Sequence, residues 1–199
     1  MTETLAAIQA FAANQRAKAK PKPVFARPTL QDFREGVWLC FDQSIGNTGW
    51  VLMKTAPGLV RVMETGMIRP PRGRTPGPQG TLEAVKPLIK EMGRVLGLYQ
   101  ADAVLYELPS VAGQRTESSL VAAACLQAAH LHHAVTTPLL VMPRQRAANR
   151  LVGNGDASKQ ETSALVDELV GIWRPQRPWN EHVRDAALLG LAFARKENP

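Results

Sequence analysis

Val37-Trp38-Leu39-Cys40-Phe41-Asp42-Gln43-Ser44-Ile45-Gly46-Asn47-Thr48-Gly49-Trp50 is the stretch that decides the fold. Its first five residues are apolar without interruption, with β-branched and aromatic members. That pattern reads as a short strand covered on both faces, because a strand open to solvent on one side alternates apolar with polar. Asp42 ends the run, and Gly46 and Gly49 turn the chain into a second apolar segment at Trp50-Val51-Leu52-Met53. A Pro57-Gly58 turn then leads into a third strand over 59–68, so the first three strands are expected to form an antiparallel meander.

Further along, Leu82, Val85, Leu88, Ile89, Met92, Val95 and Leu96 recur at helical spacing and predict a helix over 81–99, with Pro87 either kinking it or marking its first turn. Ala103-Val104-Leu105-Tyr106 is another short apolar run, closed by Glu107, and an Ala-rich helix follows over 120–135. Residues 139–142 give a fifth strand. Helices near 144–151 and 158–170 flank Gly153-Asn154-Gly155, and a last helix runs from about Asn180, a plausible cap, to Lys196. The expected fold is α/β, a mixed five-stranded sheet flanked by helices, without internal repeats.

The chain has 199 residues and is 45% hydrophobic, enough for one domain with a core and a small appendage. Residues 1–36 combine an Ala-rich stretch with Arg16, Lys18, Lys20 and Lys22 interleaved with Pro21, Pro23 and Pro28. They read as a basic, flexible N-terminal arm ahead of a domain over 37–199. Residues 69–80 read as an exposed basic loop. No stretch approaches the roughly 20 apolar residues needed to span a bilayer. Cys40 and Cys125 sit in apolar runs as buried thiols do, so a soluble cytoplasmic protein is expected. A mitochondrial presequence is the rival reading of the acid-poor start, but Ser is absent there and Arg sparse. The formal net charge of +7 favours a polyanionic partner.

Three carboxylates stand where apolar elements end or begin: Asp42, Glu107 and Asp185. If the chain crosses over through the helix between them, strands one and four are parallel neighbours and carry Asp42 and Glu107 to one carboxyl edge. A helix packed there can add Asp185. Converging carboxylates repel unless a cation sits between them, and oxygen donors suit Mg²⁺ or Mn²⁺. Taken singly, each acid reads first as a solvated or capping group; the three together reverse that only if the fold closes in this way. Glu181 and His182 lie four and three residues before Asp185, so either shares its helical face. His130, His132 and His133 match no zinc spacing and are assigned to surface or dimer contacts.

These residues resemble the RuvC family of Holliday-junction resolvases, within the RNase H-like superfamily, over about Val37 to Ala194. Leu39-Cys40-Phe41-Asp42 with Thr48-Gly49 is similar to the family's first strand and turn, and Ala103-Val104-Leu105-Tyr106-Glu107 to its second acidic strand. The small-residue helix from Ser118 resembles the helix of its dimer interface. Met142-Pro143-Arg144-Gln145, followed by Val152-Gly153-Asn154-Gly155 and then Lys159, is the most specific match, and His182-Val183-Arg184-Asp185 resembles the closing acidic helix. Two departures stand out. No aromatic residue occupies 108–115, where the well-studied member has a wedge, and the basic arm has no counterpart. Phage relatives of the family often act on flaps and forks, and this chain looks like that kind of relative.

The resemblance implies a structure-specific endonuclease that hydrolyses phosphodiester bonds in branched DNA, with two Mg²⁺ or Mn²⁺ ions about 4 Å apart. Asp42 would bridge both ions, Glu107 and His182 would hold one each, and Asp185 would complete the set. Glu181 stays an alternative to His182. Lys159 would approach the scissile phosphate. Arg115, Arg144, Arg146 and Arg150 near the site, with Arg72, Arg74 and Arg69, would hold DNA, and a homodimer through helix 118–135 would place two symmetric nicks. Two rival readings are a non-catalytic branched-DNA-binding module and a phosphate-binding protein of the actin and sugar-kinase kind. The latter needs two such domains, and the chain is long enough for one.

Overall fold

The computed structural model describes residues 26–70, 73, 77–108, 116–133, 136–171 and 178–196. Five strands, β1 (Gly36–Asp42), β2 (Thr48–Ala56), β3 (Leu59–Ile68), β4 (Ala103–Leu108) and β5 (Leu139–Pro143), form one sheet. Their spatial order is β3-β2-β1-β4-β5. The helices are α1 (Pro78–Leu98), α2 (Thr116–His133), α3 (Arg144–Val152), α4 (Lys159–Val170) and α5 (Glu181–Ala194). The meander of β1 to β3 is antiparallel, while β4 lies parallel to β1 and β5 parallel to β4.

The uninterrupted apolar runs have the predicted cause. In β1, Trp38 and Cys40 enter the core shared with α3, α4 and α5, while Leu39 and Phe41 enter the core under α1 and α2. In β4, Ala103 and Leu105 face the first core, and Val104 and Tyr106 the second. Helices thus cover both faces. Successive strand residues alternate sides, so Asp42 shares the face of Cys40, and Glu107 that of Leu105. Both acids fall on the α5 face.

Helix α5 lies close against the sheet because Gly190 has no side chain. A Cβ there would stand 2.8 Å from Cys40 Sγ and also overlap Met53. Its start is fixed as the sequence indicated, with Asn180 Oδ1 accepting from Val183 N at 3.1 Å. Asp167 on α4 accepts from Trp179 Nε1 at 2.7 Å and from Arg184 Nε at 3.0 Å, which ties that end of α5 to its neighbour. Helix α1 continues through Pro87 and begins at Pro78, earlier than expected. Cys40 and Cys125 are buried free thiols. Among the described residues no helix is long and apolar enough to cross a membrane.

Two expectations need correction. The arm does not extend to residue 36. Phe33 is fully buried in the α5-side core and bridges Arg195, Arg34 N donates to Ala194 O at 2.9 Å, and Lys196 N donates to Asp32 O at 2.8 Å. Phe33, the one aromatic in residues 26–36, is what docks that part; residues 1–25 lie outside the described residues. His130 is not a surface residue: it is 8% exposed, and its Nε2 lies 2.6 Å from Thr137 O. His132 and His133 are exposed, as expected.

Gly190→Val should lower stability by about 3 kcal/mol through overpacking. Urea unfolding followed by tryptophan fluorescence checks it; a loss below about 0.5 kcal/mol would mean that helix and sheet can separate without cost.

Candidate active site

The β1–β4 register runs Trp38↔Ala103 to Phe41↔Tyr106, so the next residues along each strand, Asp42 and Glu107, emerge side by side at the carboxyl edge. Gln43 locks this edge. Its Nε2 donates to Glu107 O at 2.6 Å, while its Oε1 accepts from Glu107 N at 3.2 Å. The turn beyond is held by its own side chains: Thr48 Oγ1 donates to Ser44 O at 2.9 Å, and Ser44 Oγ donates to Asn47 O at 2.8 Å. Ser118 Oγ on α2 accepts from Ile45 N at 3.2 Å and ties the turn to that helix.

Helix α5 reaches the same edge because Gly49 on β2 leaves room for it; a Cβ at Gly49 would lie 2.7 Å from the Cβ of His182. His182 Nδ1 donates to Asp42 Oδ2 at 2.7 Å. One turn on, Asp185 is 5% exposed and accepts from Lys159 Nζ at 3.0 Å, and Lys159 also pairs with Glu181. Lys159 is the first residue of α4, presented there by the Ser158–Glu161 capping box. The structure therefore turns His182 toward Asp42 and Glu181 toward Lys159.

Electrostatics mark the cluster. Burial first, then the charges of Asp42 and Asp185, push the Glu107 carboxyl up to about 7, with Arg144 and Lys159 acting against them. Asp185 is raised by burial and by Asp42, and Lys159 and Arg144 offset part of that rise. His182 is raised by its hydrogen bond to Asp42. For Lys159, the pairing with Glu181 and Asp185 outweighs a downward pull from burial, leaving it raised. Among the described residues, no three His, Cys, Asp or Glu side chains converge closely enough to close around one ion. In kind, however, the donors fit a hard divalent cation. The charge that raises Glu107 and Asp185 in this partly buried pocket is what such an ion would relieve.

The expected cationic residues divide. Arg144 joins the cluster from the start of α3: its Nη2 lies 3.2 Å from Thr162 Oγ1, and its buried Nε has no hydrogen-bond partner. Arg146 is exposed on the same helix. Arg150 is not near the acids. It donates to Arg195 O at 2.6 Å, at the far end of α5, about 15 Å along the helix from Asp185. The ordering of α3 along the sheet, invisible in sequence, carries it away. Arg72, Arg74 and Arg115 lie outside the described residues, and Arg69 is exposed beyond the end of β3. Gln43 is the residue of this edge that sequence reading missed; its one signal was its place directly after a strand-end acid.

Solved structures with the same fold include Thermus thermophilus RuvC, at TM-score 0.64 and 19% identity, with 78% of this chain and 92% of that chain covered. A second is T. thermophilus RuvC in complex with Holliday junction substrate, at TM-score 0.68 and 18% identity, covering 80% and 93%. No protein-family model and no curated protein sequence matches this chain. The fold is thus shared with T. thermophilus RuvC, a mixed five-stranded sheet flanked by helices, as the motifs implied.

Between about pH 4.5 and 7, folded Glu107 keeps a proton that the unfolded chain has released, so stability falls as pH rises through that window. The raised His182 acts in the same direction, since its contribution is complete below its unfolded value and is lost as pH rises through the folded one. In chelator, Glu107→Gln should be more stable than the native chain at pH 8 by about 1–3 kcal/mol and no more stable at pH 4.5. Denaturant unfolding at the two pH values tests this, and parallel profiles would contradict it.

Proposed function

We propose that the protein is a cytoplasmic, metal-dependent endonuclease that cuts branched DNA. The observation that carries this reading is the meeting of Asp42, Glu107 and Asp185, with His182 and Lys159, at one edge of an RNase H-like sheet. Partly buried acids that raise Glu107 and Asp185 above the usual carboxylate range are costly to maintain. The net charge of +7 supports a polyanionic substrate, and the motif resemblance to the resolvases supports a branched one.

Asp42, Glu107, Asp185 and His182 would hold two Mg²⁺ or Mn²⁺ ions. When bound, such ions generate a water-derived nucleophile at neutral pH and stabilise charge on the phosphoryl oxygens. The chain's own residues do the rest. Gln43 fixes the spacing of the two strand-end acids through the Glu107 backbone. His182 orients Asp42. Lys159 sets a positive charge beside Asp185, where it can face the scissile phosphate. Arg144 adds a second cation behind the acids, while Arg146, Arg72, Arg74 and Arg115 would grip flanking phosphates.

Two symmetric cuts need two such sites, and a homodimer through α2 would supply them. Ala122, Ala123, Leu126 and Ala129 of that helix are buried within the protomer, whereas Leu120 and Leu131 are 51% and 72% exposed. Those two leucines are the side chains a partner would cover. Leu131→Glu should shift the protein from dimer to monomer in sedimentation without unfolding it; a monomer in the native chain would end the two-site reading.

The alternative is a non-catalytic branched-DNA-binding module of the same fold. Cleavage of labelled junctions, forks, flaps and linear duplex with Mg²⁺ or Mn²⁺ separates the two. Asp42→Asn should abolish cutting and keep binding. Equal cutting by both proteins would remove the proposed site, and linear duplex cut as fast as branched DNA would demote the reading to a general nuclease.

A further inference from the structure

Thr162 breaks the pattern of its own helix. The buried residues of α4 are Thr162, Leu165, Val166, Leu169 and Val170, whose spacing makes one stripe along the helix, and Thr162 is the polar member of that stripe. A valine would fill the same volume and bury no polar atom, yet a hydroxyl stands there, on a residue only 1% exposed.

The contacts of the hydroxyl supply the reason. Thr162 Oγ1 accepts from Arg144 Nη2 of α3 at 3.2 Å and lies 3.1 Å from the carbonyl oxygens of both Ser158 and Lys159. With one proton and two lone pairs, it can take the hydrogen bond of the guanidinium while donating to one of those carbonyls. Bonding back to the preceding turn is common for a helical threonine and decides nothing alone. The bond to a second helix makes the hydroxyl a joint.

On one side of the joint stands Arg144. Its buried Nε has no hydrogen-bond partner, so the bond through Nη2 sets the direction of the guanidinium. On the other side is the first turn of α4, which carries Lys159; its Nζ lies 3.0 Å from Asp185 Oδ2 and also pairs with Glu181. The charges of Arg144 and Lys159 both act on Glu107 and on Asp185. One buried hydroxyl thus spans the two cations that face the acids. Without it Arg144 would hold a further unmet donor and the first turn of α4 would lose a tie, in a place where a small displacement costs rate.

We infer that Thr162 is a positioning residue, whose hydroxyl sets Arg144 and Lys159 against the acid cluster. The task of Lys159 in cleavage rests on the nuclease reading above, whereas the contact itself does not.

The test compares Thr162→Val, which keeps the volume, with Thr162→Ser, which keeps the hydroxyl, in the full-length protein. A position that only packs tolerates Val better than Ser, because Ser leaves a methyl-sized gap; a positioning hydroxyl reverses that order. The first measurement needs no cleavage. Metal-free protein is acetylated with an amine-reactive ester, and modification of Lys159 is followed by mass spectrometry against Lys90, exposed on α1. Lys159 should react about threefold faster in Thr162→Val, as release from a weak ion pair allows, and at the native rate in Thr162→Ser. The second measurement is cleavage of branched DNA with Mg²⁺. There Thr162→Val should lower kcat about tenfold with KM within about twofold, and Thr162→Ser should restore kcat to within about twofold of native. Thr162→Ala against Thr162→Ser, a pair that differs only in the hydroxyl, repeats both measurements if Thr162→Val melts early. Native-rate labelling in Thr162→Val would overturn the inference. So would a larger change in Thr162→Ser than in Thr162→Val, or an unchanged kcat beside faster labelling. If the native chain cuts no DNA, the nuclease reading fails, and the labelling alone decides whether Thr162 holds Lys159 in place.

Discussion

The parallel pairing of β1 with β4 is the constraint on which the site depends. Each strand is buried on both faces, so neither can slip by one residue without turning a layer of core side chains toward the wrong helices. The register that satisfies both cores also fixes where the two strands end, and each ends on an acid. Asp42 and Glu107 are neighbours because Phe41 and Tyr106 are partners under α1 and α2. Gln43 then welds the pair through the backbone of Glu107, at the point where ladder hydrogen bonding gives out.

The third acid arrives by a different physical route. Helix α5 is almost wholly buried from Val183 to Ala194, and its distance from the sheet is set by absent side chains at Gly190 and Gly49. That close approach puts His182 on Asp42 and buries Asp185. The resulting like charges are left partly compensated by Lys159 and Arg144, two cations from the starts of different helices. Stability is therefore spent on a concentration of charge that packing alone would never select.

The same helix carries side chains of opposite charge at its two ends. Its N-terminal end carries the acids, and its C-terminal end carries Arg195, which holds Arg150 and the chain at Ala26.

Sequence by itself determined the elements and the side of the sheet on which the acids lie. Uninterrupted apolar runs at Val37–Phe41 and Ala103–Tyr106 require cover on both faces, alternation then assigns Asp42 and Glu107 to one side, and helical spacing links His182 with Asp185. Local periodicity carries that information, so it is legible without a fold. Only the tertiary structure decided which residues serve which end of the molecule. Phe33 docks although its surroundings read as a solvated arm, His130 is buried although His132 and His133 are exposed, Gln43 bonds across strands, and Arg150 lies at the far end of α5 from the acids. Each of these outcomes depends on contacts between segments distant in the chain, and no local pattern of residue types encodes such a distance.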